Sequence, residues 1–224
     1  MNLAIICVAG GMGQRFGRDK LAEPLGDSTV LETSLTALRS AYPTADLCVV
    51  LPPQQLSRWR LSLEGTFPGI RLVGGGSRRQ DSVRNGIESA VETGADIAAV
   101  HDGARPMVDP LDVRSVVEGL GNADGAVLCQ AVVDTVKRVA SDGLILETVP
   151  RDELRLAQTP QVFRVSSIQR AWAEGDFGQE WTDEAALLES LGMQVQTVSA
   201  RHANPKVTTE LDLQFLRVMC EERQ

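Results

Sequence analysis

Short apolar runs alternate with amphipathic segments along most of this chain. The apolar runs have the length and composition of buried β-strands, and they cover residues 3–8, 46–51, 70–73, 97–100, 126–132 and 194–198. Apolar residues recur at helical spacing near residues 30–41, 54–63, 82–91, 167–173, 182–191 and 209–219, and a further helix starts at residue 110. This alternation predicts an α/β fold with a mostly parallel sheet and helices on both faces.

Helix start signals support these assignments. Thr29 and Glu32 have the spacing of a capping box in front of the first helix. We expect Thr182 to cap the helix that Gly192 ends.

The alternation breaks after Val132. Residues 133–163 contain short β segments and charged turns without a helical pattern. We therefore expect a single domain over residues 1–224 with an inserted β-arm at 133–163.

Composition and charge narrow the possible functions. Of the 224 residues, 43% are hydrophobic and 23% are charged, which is typical of a globular domain, and the net charge is −8. The lack of a basic tract argues against a nucleic-acid partner, and no run approaches the roughly 20 apolar residues of a membrane span. The four cysteines lie far apart without a CxxC motif, so we expect core thiols and a cytoplasmic location.

A glycine-rich loop follows the first strand at residues 9–20. Its glycines allow a tight turn whose N–H groups face phosphate oxygens, and Arg15 and Lys20 bring positive charge to the same anion. The spacing fits neither the dinucleotide-binding fingerprint nor a P-loop. A plain strand-to-helix turn would explain the glycines alone, but the two cations favour phosphate binding.

A second glycine cluster, residues 74–76, lies between a strand and a polar helix start. Such a nest is typical of a ligand site, and the Ser82 hydroxyl is placed to meet a base or a ribose. The structural alternative is that Asp81 or Ser82 caps the helix.

Residues 100–106 (Val-His-Asp-Gly-Ala-Arg-Pro) place an acid and an arginine just after an apolar strand. Ligands of open α/β sheets bind at this edge, and Asp102 with Arg105 suits a phosphorylated, hydroxyl-bearing substrate or a nucleotide with its metal ion. A buried structural ion pair is the alternative. We expect His101 to be a packed strand-end residue, and with two histidines in the chain no zinc site is expected.

Lys206 follows the last strand and a loop, and it precedes Thr208 and Thr209, which open the last helix. An ammonium group beside a helix N-terminus favours an anion there. Asp183 and Glu184, by contrast, suit the first turn of a helix on dipole grounds alone.

These motifs occur together and in this order in one family. They are Ala-Gly-Gly-x-Gly-x-Arg at 9–15, Gly-Gly-x-x-Arg-x-x-Ser-Val at 75–83, Val-His-Asp-Gly-Ala-Arg-Pro at 100–106, Asp-Thr-Val-Lys-Arg at 134–138, Thr-Pro-Gln at 159–161, Thr-Asp-Glu-Ala at 182–185 and Asn-x-Lys-Val-Thr at 204–208. On these motifs the chain resembles the 2-C-methyl-D-erythritol 4-phosphate cytidylyltransferase family over essentially its whole length.

The resemblance implies a three-layer, Rossmann-like nucleotidyltransferase domain that joins CTP to methylerythritol phosphate with Mg²⁺ and releases pyrophosphate. It implies catalytic roles for Arg15, Lys20 and Lys206. The nucleotide-binding residues that it implies are Ala9, Gly10, Gly11, Gly13, Gly76, Ser82 and Asp102. The implied substrate-binding residues are Asp102, Arg105, Thr135, Arg151 and Lys206. Arg151 would come from the second subunit of a homodimer formed through the 133–163 arm. The CTP phosphates would hold most of the Mg²⁺ coordination, with Asp102 as a candidate ligand.

The chain departs from the family pattern at Asp19-Lys20-Leu21, where members carry Pro-Lys-Gln, and its loop before Lys20 is shorter. The choice of nucleotide base stays open, since Gly10-Gly11 and Asp19-Lys20 are similar to the residues at these positions in the guanylyltransferases of molybdenum-cofactor synthesis. Two other functions also stay open: transfer to another polyol phosphate such as ribitol phosphate, and non-catalytic nucleotide binding on the same scaffold. The arm residues favour methylerythritol phosphate, and the three catalytic cations favour an enzyme.

Overall fold

The computed structural model of the chain describes residues 2–10 and 16–221, which form eleven β-strands and seven α-helices. The strands are β1 Leu3–Val8, β2 Pro24–Leu25, β3 Ser28–Thr29, β4 Asp46–Leu51, β5 Arg71–Gly74, β6 Ile97–Asp102, β7 Gly125–Ala131, β8 Val136–Val139, β9 Ile145–Val149, β10 Arg155–Arg164 and β11 Val195–Ser199. The helices are α1 Val30–Ala41, α2 Leu56–Thr66, α3 Arg79–Glu92, α4 Pro110–Gly119, α5 Val165–Glu174, α6 Glu184–Ser190 and α7 Glu210–Glu221. No helix in these two ranges is long and apolar enough to cross a membrane.

Seven of the strands form one central sheet in the order β11-β7-β10-β6-β1-β4-β5. β10 runs antiparallel to both of its neighbours, and the other adjacent strands are parallel. The strand order reverses between β1 and β6, because the chain builds β4 and β5 on one side of β1 and then returns to the other side. The prediction of a mostly parallel sheet is confirmed.

Side chains of the central sheet pack into two hydrophobic cores, one on each face. Along β1, Ile5 and Cys7 belong to the core that α1, α2, α4 and α7 cover. Ala4 and Ile6 belong to the opposite core, which α3, α5 and α6 cover. Because successive residues of a strand point to opposite faces, a strand with helices on both sides is apolar along its whole length. The predicted three-layer architecture is confirmed.

Local capping interactions determine where α1 and α6 begin. Thr29 Oγ1 accepts the Glu32 N–H at 3.2 Å and Glu32 Oε2 accepts the Thr29 N–H at 3.0 Å, which confirms the predicted capping box. The predicted cap Thr182 is wrong, because Asp183 caps α6 and accepts the Ala186 N–H at 2.9 Å. A carboxylate at this position also gains from the positive end of the helix dipole, which favours Asp183 over the neighbouring hydroxyl.

α3 begins at Arg79, three residues before the predicted start at Ser82. Asp81 Oδ2 accepts the Arg78 backbone N–H at 3.0 Å, so Asp81 lies in the first turn and Ser82 lies inside the helix. The N-terminus of α3 therefore follows the second glycine cluster almost directly.

The segment predicted as an arm, residues 133–163, divides into two parts. β8 and β9 form an antiparallel hairpin of their own, which exposes Leu144, Ile145 and Leu146. β10, however, pairs with β6 and β7 inside the central sheet. An antiparallel strand can enter a sheet without a preceding crossover helix, and this removes the helical signal that would have marked the end of the arm.

Candidate active site

The carboxyl ends of β1, β4, β5 and β6 meet at one edge of the central sheet. Gly103 N donates to Val8 O at 2.9 Å and Gly75 N donates to Leu51 O at 2.8 Å, so backbone hydrogen bonds join the loops at this edge. A cavity of about 840 Å³ lies there, beside the point between β1 and β6 where the strand order reverses. Open α/β sheets bind ligands at such a point.

Seven predicted site residues line this cavity. They are Ala9, Gly10, Lys20, Gly76, Ser82, Asp102 and Lys206. The edge of the sheet therefore brings together residues from the glycine-rich loop, the second glycine cluster, the end of β6 and the loop before α7.

Close packing around Ser82 explains why glycines surround it. The Ser82 Oγ accepts the Gly76 N–H at 3.1 Å and donates to Arg78 O at 3.2 Å. A Cβ atom at Gly10 would lie 2.9 Å from this Oγ, and a Cβ atom at Gly75 would lie 2.8 Å from it. Glycine at both positions thus lets two loops approach one helix turn, and it leaves backbone at the cavity wall.

Asp102 lies at the centre of a group of cations. Its Oδ2 accepts from Lys206 Nζ at 2.7 Å and lies 3.6 Å from Arg105 Nε, while its Oδ1 lies 3.6 Å from Arg79 Nε. Burial works against the charged form of Asp102. The three cations outweigh burial and hold the pKa of this carboxyl well below its usual range, so Asp102 is an anion at neutral pH.

Residues of β10 hold the end of β6 in place. The Asp102 backbone N–H donates to Thr159 Oγ1 at 3.0 Å, and Thr159 O accepts from Asn204 Nδ2 at 2.8 Å. His101 is fully buried and its Nδ1 lies 3.2 Å from Thr159 Oγ1. Burial lowers the pKa of His101 to about 4, so the ring is neutral, and the prediction of a packed strand-end residue is confirmed.

The turn before α7 carries Lys206 and also accepts a hydrogen bond from the Lys20 side chain. The Val207 N–H donates to Ala104 O at 2.8 Å, and Lys20 Nζ donates to Val207 O at 2.7 Å. At the start of α7, Asp212 Oδ2 accepts the backbone N–H groups of Thr208 and Thr209. The segment 206–207 therefore carries one lysine of the cavity and anchors the ammonium group of the other.

Arg79 is a residue of the site that sequence patterns did not predict. Its Nη1 lies 2.9 and 2.8 Å from the two carboxylate oxygens of Glu184, and its side chain lines the cavity. Burial works against the charged form of Arg79, but Glu184 and Asp102 outweigh it and raise the pKa of the guanidinium. The family motif at 75–83 includes this arginine, but its partner lies 105 residues away, beyond the reach of local patterns.

A loop over residues 175–181 closes one side of the cavity near α3. Arg78 Nη1 and Gln80 Nε2 each donate to Phe177 O at 3.1 Å, and Gln80 Oε1 accepts the Trp181 N–H at 3.0 Å. Glu180 of this loop lines the cavity. Residues 175–181 carried no motif, and only the tertiary contacts with α3 place them at the site.

The other predicted site residues divide into three that the structure does not describe and three that it places off the cavity. Arg15, Gly11 and Gly13 are outside the described residues, so their roles stay predictions. Arg105 does not line the cavity but lies behind Asp102, where its Nη1 donates to Asn204 O at 2.7 Å. This geometry corresponds to the structural ion-pair alternative, and substrate contact by Arg105 stays a prediction.

Thr135 and Arg151 lie on the arm and are exposed. Neither lines the cavity of the same molecule, and Arg151 Nη1 donates to Val133 O. Their predicted contact with substrate therefore stays a prediction.

Two carboxylates line the cavity, the buried Asp102 and Glu180, and Asp102 is the one predicted as a ligand of a divalent cation. Within residues 2–10 and 16–221, no group of three or more His, Cys, Asp or Glu side chains could hold a metal ion. Mg²⁺ is commonly bound through one or two carboxylates together with substrate phosphates, and the cavity offers that donor set once a nucleotide is present. The residues thus fit a metal that arrives with phosphate ligands.

Comparisons with known proteins show the family to which the chain is similar. The chain matches the family model described as IspD: 2-C-methyl-D-erythritol 4-phosphate cytidylyltransferase over residues 3–222. A protein named 2-C-methyl-D-erythritol 4-phosphate cytidylyltransferase from Dehalococcoides mccartyi is 34% identical over 98% of this chain and 96% of its own length. The bifunctional enzyme IspD/IspF of Chelativorans sp. is 35% identical over 95% of this chain but 53% of its own length, so this chain spans about half of that relative.

A solved structure gives the same result. The crystal structure of 2-C-methyl-D-erythritol 4-phosphate cytidylyltransferase from Thermus thermophilus has a TM-score of 0.76 at 29% identity, over 99% of this chain and 100% of the other. On the family model, the relatives and the fold, this chain belongs to the 2-C-methyl-D-erythritol 4-phosphate cytidylyltransferase family.

Proposed function

We propose that this chain transfers a cytidylyl group from CTP to 2-C-methyl-D-erythritol 4-phosphate, which yields 4-diphosphocytidyl-2-C-methyl-D-erythritol and pyrophosphate. Membership of the family supports this reaction. The observation that carries the proposal is one cavity whose lining combines two lysines, a buried carboxylate and the glycines next to Ser82: Lys20, Lys206, Asp102, Gly10 and Gly76. Such a cavity suits a nucleoside triphosphate together with a phosphorylated polyol.

The chemistry requires no side-chain base. A phosphate monoester is ionised at neutral pH and is therefore already a nucleophile. One of its oxygens attacks the α-phosphorus of CTP in line, and the bond from that phosphorus to the pyrophosphate oxygen breaks as the new P–O bond forms. The rate then depends on alignment of the two substrates and on stabilisation of the added negative charge.

Lysine side chains supply that stabilisation. Lys206 Nζ is held by Asp102 and Lys20 Nζ by Val207 O, so both ammonium groups are oriented before substrate binds. We infer that the two lysines bind the phosphates and stabilise the transition state, together with Arg15 of the glycine-rich loop. Preoriented charges of this kind need little reorganisation during the reaction.

The other predicted residues orient the substrates. Backbone at Ala9, Gly10 and Gly76 would frame the nucleotide, and the Ser82 hydroxyl would meet its base or ribose. Asp102 would accept a hydroxyl hydrogen bond from the acceptor while it holds Lys206. Asp102 would be the protein carboxylate that helps the CTP phosphates to hold Mg²⁺, and the chemistry supplied by the metal would be neutralisation of phosphate charge.

We also infer a cytoplasmic homodimer in which the arm of one subunit completes the site of the other. Thr135 and Arg151 are exposed and lie off the cavity of their own molecule, and the hairpin exposes the apolar Ile145. An apolar arm of this kind suits burial against a second copy. Free, mostly buried thiols support a reducing compartment.

The test is pyrophosphate release measured over a panel of substrates. CTP, GTP and ATP are each combined with 2-C-methyl-D-erythritol 4-phosphate or with ribitol phosphate in the presence of Mg²⁺. We expect release that requires both CTP and 2-C-methyl-D-erythritol 4-phosphate. Release with another pair would preserve the chemistry and contradict the proposed substrates, and nucleotide binding without release from any pair would favour the non-catalytic alternative.

A further inference from the structure

Glu184 is a buried acid with a single strong partner. Its side chain is 4% exposed in the first turn of α6, and its carboxylate oxygens lie 2.9 and 2.8 Å from Arg79 Nη1. A buried carboxylate is costly unless it is paired, so this ion pair ties α6 to the start of α3.

Arg79 joins Glu184 to the centre of the cavity. Its Nε lies 3.6 Å from Asp102 Oδ1, while Asp102 Oδ2 accepts from Lys206 Nζ at 2.7 Å. Charges of alternating sign therefore run from Glu184 through Arg79 and Asp102 to Lys206. Glu184 itself does not line the cavity, whereas the other three residues do.

The first turn of α6 gives Glu184 a rigid position. Asp183 accepts the Ala186 N–H at 2.9 Å, and its other oxygen accepts from Gln161 Nε2 at 2.8 Å. α6 is thus fastened to β10, a strand of the central sheet. A carboxylate held in this way can fix the orientation of the guanidinium that it binds.

Glu184 also limits how strongly Arg79 can bind Asp102. A guanidinium can bind a carboxylate through two parallel hydrogen bonds, and such a pair would occupy both oxygens of Asp102. With Nη1 directed to Glu184, Arg79 reaches Asp102 only by Nε at 3.6 Å, and Oδ2 remains for Lys206.

We propose that Glu184 is a positioning residue of the transfer reaction, which holds Arg79 so that Asp102 keeps Lys206 oriented towards the reacting phosphates. This inference rests on the proposed function. Glu184 acts through Arg79 and does not touch substrate.

Glu184→Gln tests the proposal because glutamine keeps the shape of the side chain and removes its charge. We expect kcat to fall about tenfold to hundredfold, as a misplaced catalytic group does. KM for CTP should not rise, because the loss of a negative charge beside the cavity does not weaken anion binding. Glu184→Asp, which keeps the charge, should recover part of kcat.

Asp112→Asn is the matched control. Asp112 is another buried acid, 1% exposed, with Arg201 Nε at 3.6 Å, and it lies on α4 and does not line the cavity. We expect wild-type kcat and KM from this variant. If Glu184 had a merely structural role, Glu184→Gln would lower the thermal midpoint and leave kcat as unchanged as in the control.

Arg79→Lys provides a second test if Glu184→Gln does not fold. Lysine keeps the charge but lacks the fork that spans two carboxylates, so we expect a similar loss of kcat with CTP binding retained. A kcat within about twofold of wild type in a folded Glu184→Gln or Arg79→Lys protein would overturn the inference. The wild-type enzyme is assayed in parallel with the whole substrate panel. If the wild-type enzyme releases no pyrophosphate, the proposed function itself is overturned. If the wild-type enzyme is active and the variants have the same kcat, this inference alone is overturned.

Discussion

The charges at the cavity suit an anionic ligand although the whole chain has a net charge of −8. Among the described residues that line the cavity, four are cations and two are anions, which leaves two positive charges in excess: Lys20, Arg78, Arg79 and Lys206 against Asp102 and Glu180. Asp102 stays ionised because the cations hold its pKa well below its usual range. The local balance of charge at the cavity is therefore opposite in sign to that of the whole chain.

Replacement of Lys206 by alanine should abolish turnover and preserve the fold. The ammonium at 2.7 Å from Asp102 is lost, and with it part of the stabilisation of the transition state, so we expect kcat to fall at least about a hundredfold. Asp102 keeps Arg79 and Arg105 as partners, so the thermal midpoint should change little. Steady-state kinetics and thermal melts measure both, with Arg60→Ala on the exposed face of α2 as the control. Near-normal kcat in Lys206→Ala would remove this residue from the mechanism.

At the scale of single elements, the start of α7 determines where Lys206 lies. Asp212 accepts the Thr208 N–H at 2.9 Å and the Thr209 N–H at 2.7 Å, and it also accepts from both threonine hydroxyls. Burial works against the charge of Asp212, but these hydrogen bonds outweigh it and lower its pKa to about 2.

The pKa of Asp212 predicts a contribution to stability that depends on pH. Because the pKa is lower in the folded state than in the unfolded state, the contribution is present above about pH 4 and is lost as the pH falls towards 2. Asp212→Asn should lower the free energy of unfolding by about 1 kcal/mol at pH 7. Urea unfolding at pH 7 and pH 3 should show that the difference from wild type shrinks on acidification. A difference that stays constant with pH, or an equal effect of Glu64→Gln on α2, would contradict this assignment.

Sequence patterns predicted the elements whose signals are local. The bounds of β1, β4 and α1 follow from apolar runs and a capping box, and Lys206 was found from its place before a helix start. The pair of Arg79 and Glu184 could not be predicted in this way, because the partners lie 105 residues apart in the sequence and only the tertiary fold brings them together. The sequence also did not show where the hairpin ends and the central sheet resumes, since β10 enters the sheet without a helix before it.

At the scale of the whole molecule, the residues predicted to bind the acceptor lie in two separate places, the cavity and the arm. Lys206 lines the cavity, whereas Arg151 is exposed on the arm and lies away from it. A single copy of the chain thus keeps these two groups apart, and a dimer with exchanged arms would bring them together.

Arg151→Ala should therefore weaken binding of the acceptor more than binding of CTP. We expect a rise in KM for 2-C-methyl-D-erythritol 4-phosphate alone.

Coexpression of Arg151→Ala with Lys206→Ala gives a sharper test, because a mixed dimer with exchanged arms contains one site in which both residues are intact. Random pairing predicts about a quarter of wild-type activity at low acceptor concentration, from two nearly inactive parents. No recovery in purified mixed dimers, or equal effects of Arg151→Ala on both substrates, would argue against an exchanged arm.

Direct, in-line transfer between two bound substrates is the central step of the proposed reaction, and the stereochemistry at phosphorus tests it. A single diastereomer of CTP with sulfur on the α-phosphorus is turned over with 2-C-methyl-D-erythritol 4-phosphate, and the configuration of the product is determined by ³¹P NMR. One in-line displacement inverts the phosphorus centre, so inversion is the predicted result. Retention would require two displacements through a covalent enzyme intermediate and would contradict a mechanism that relies on positioning and charge alone.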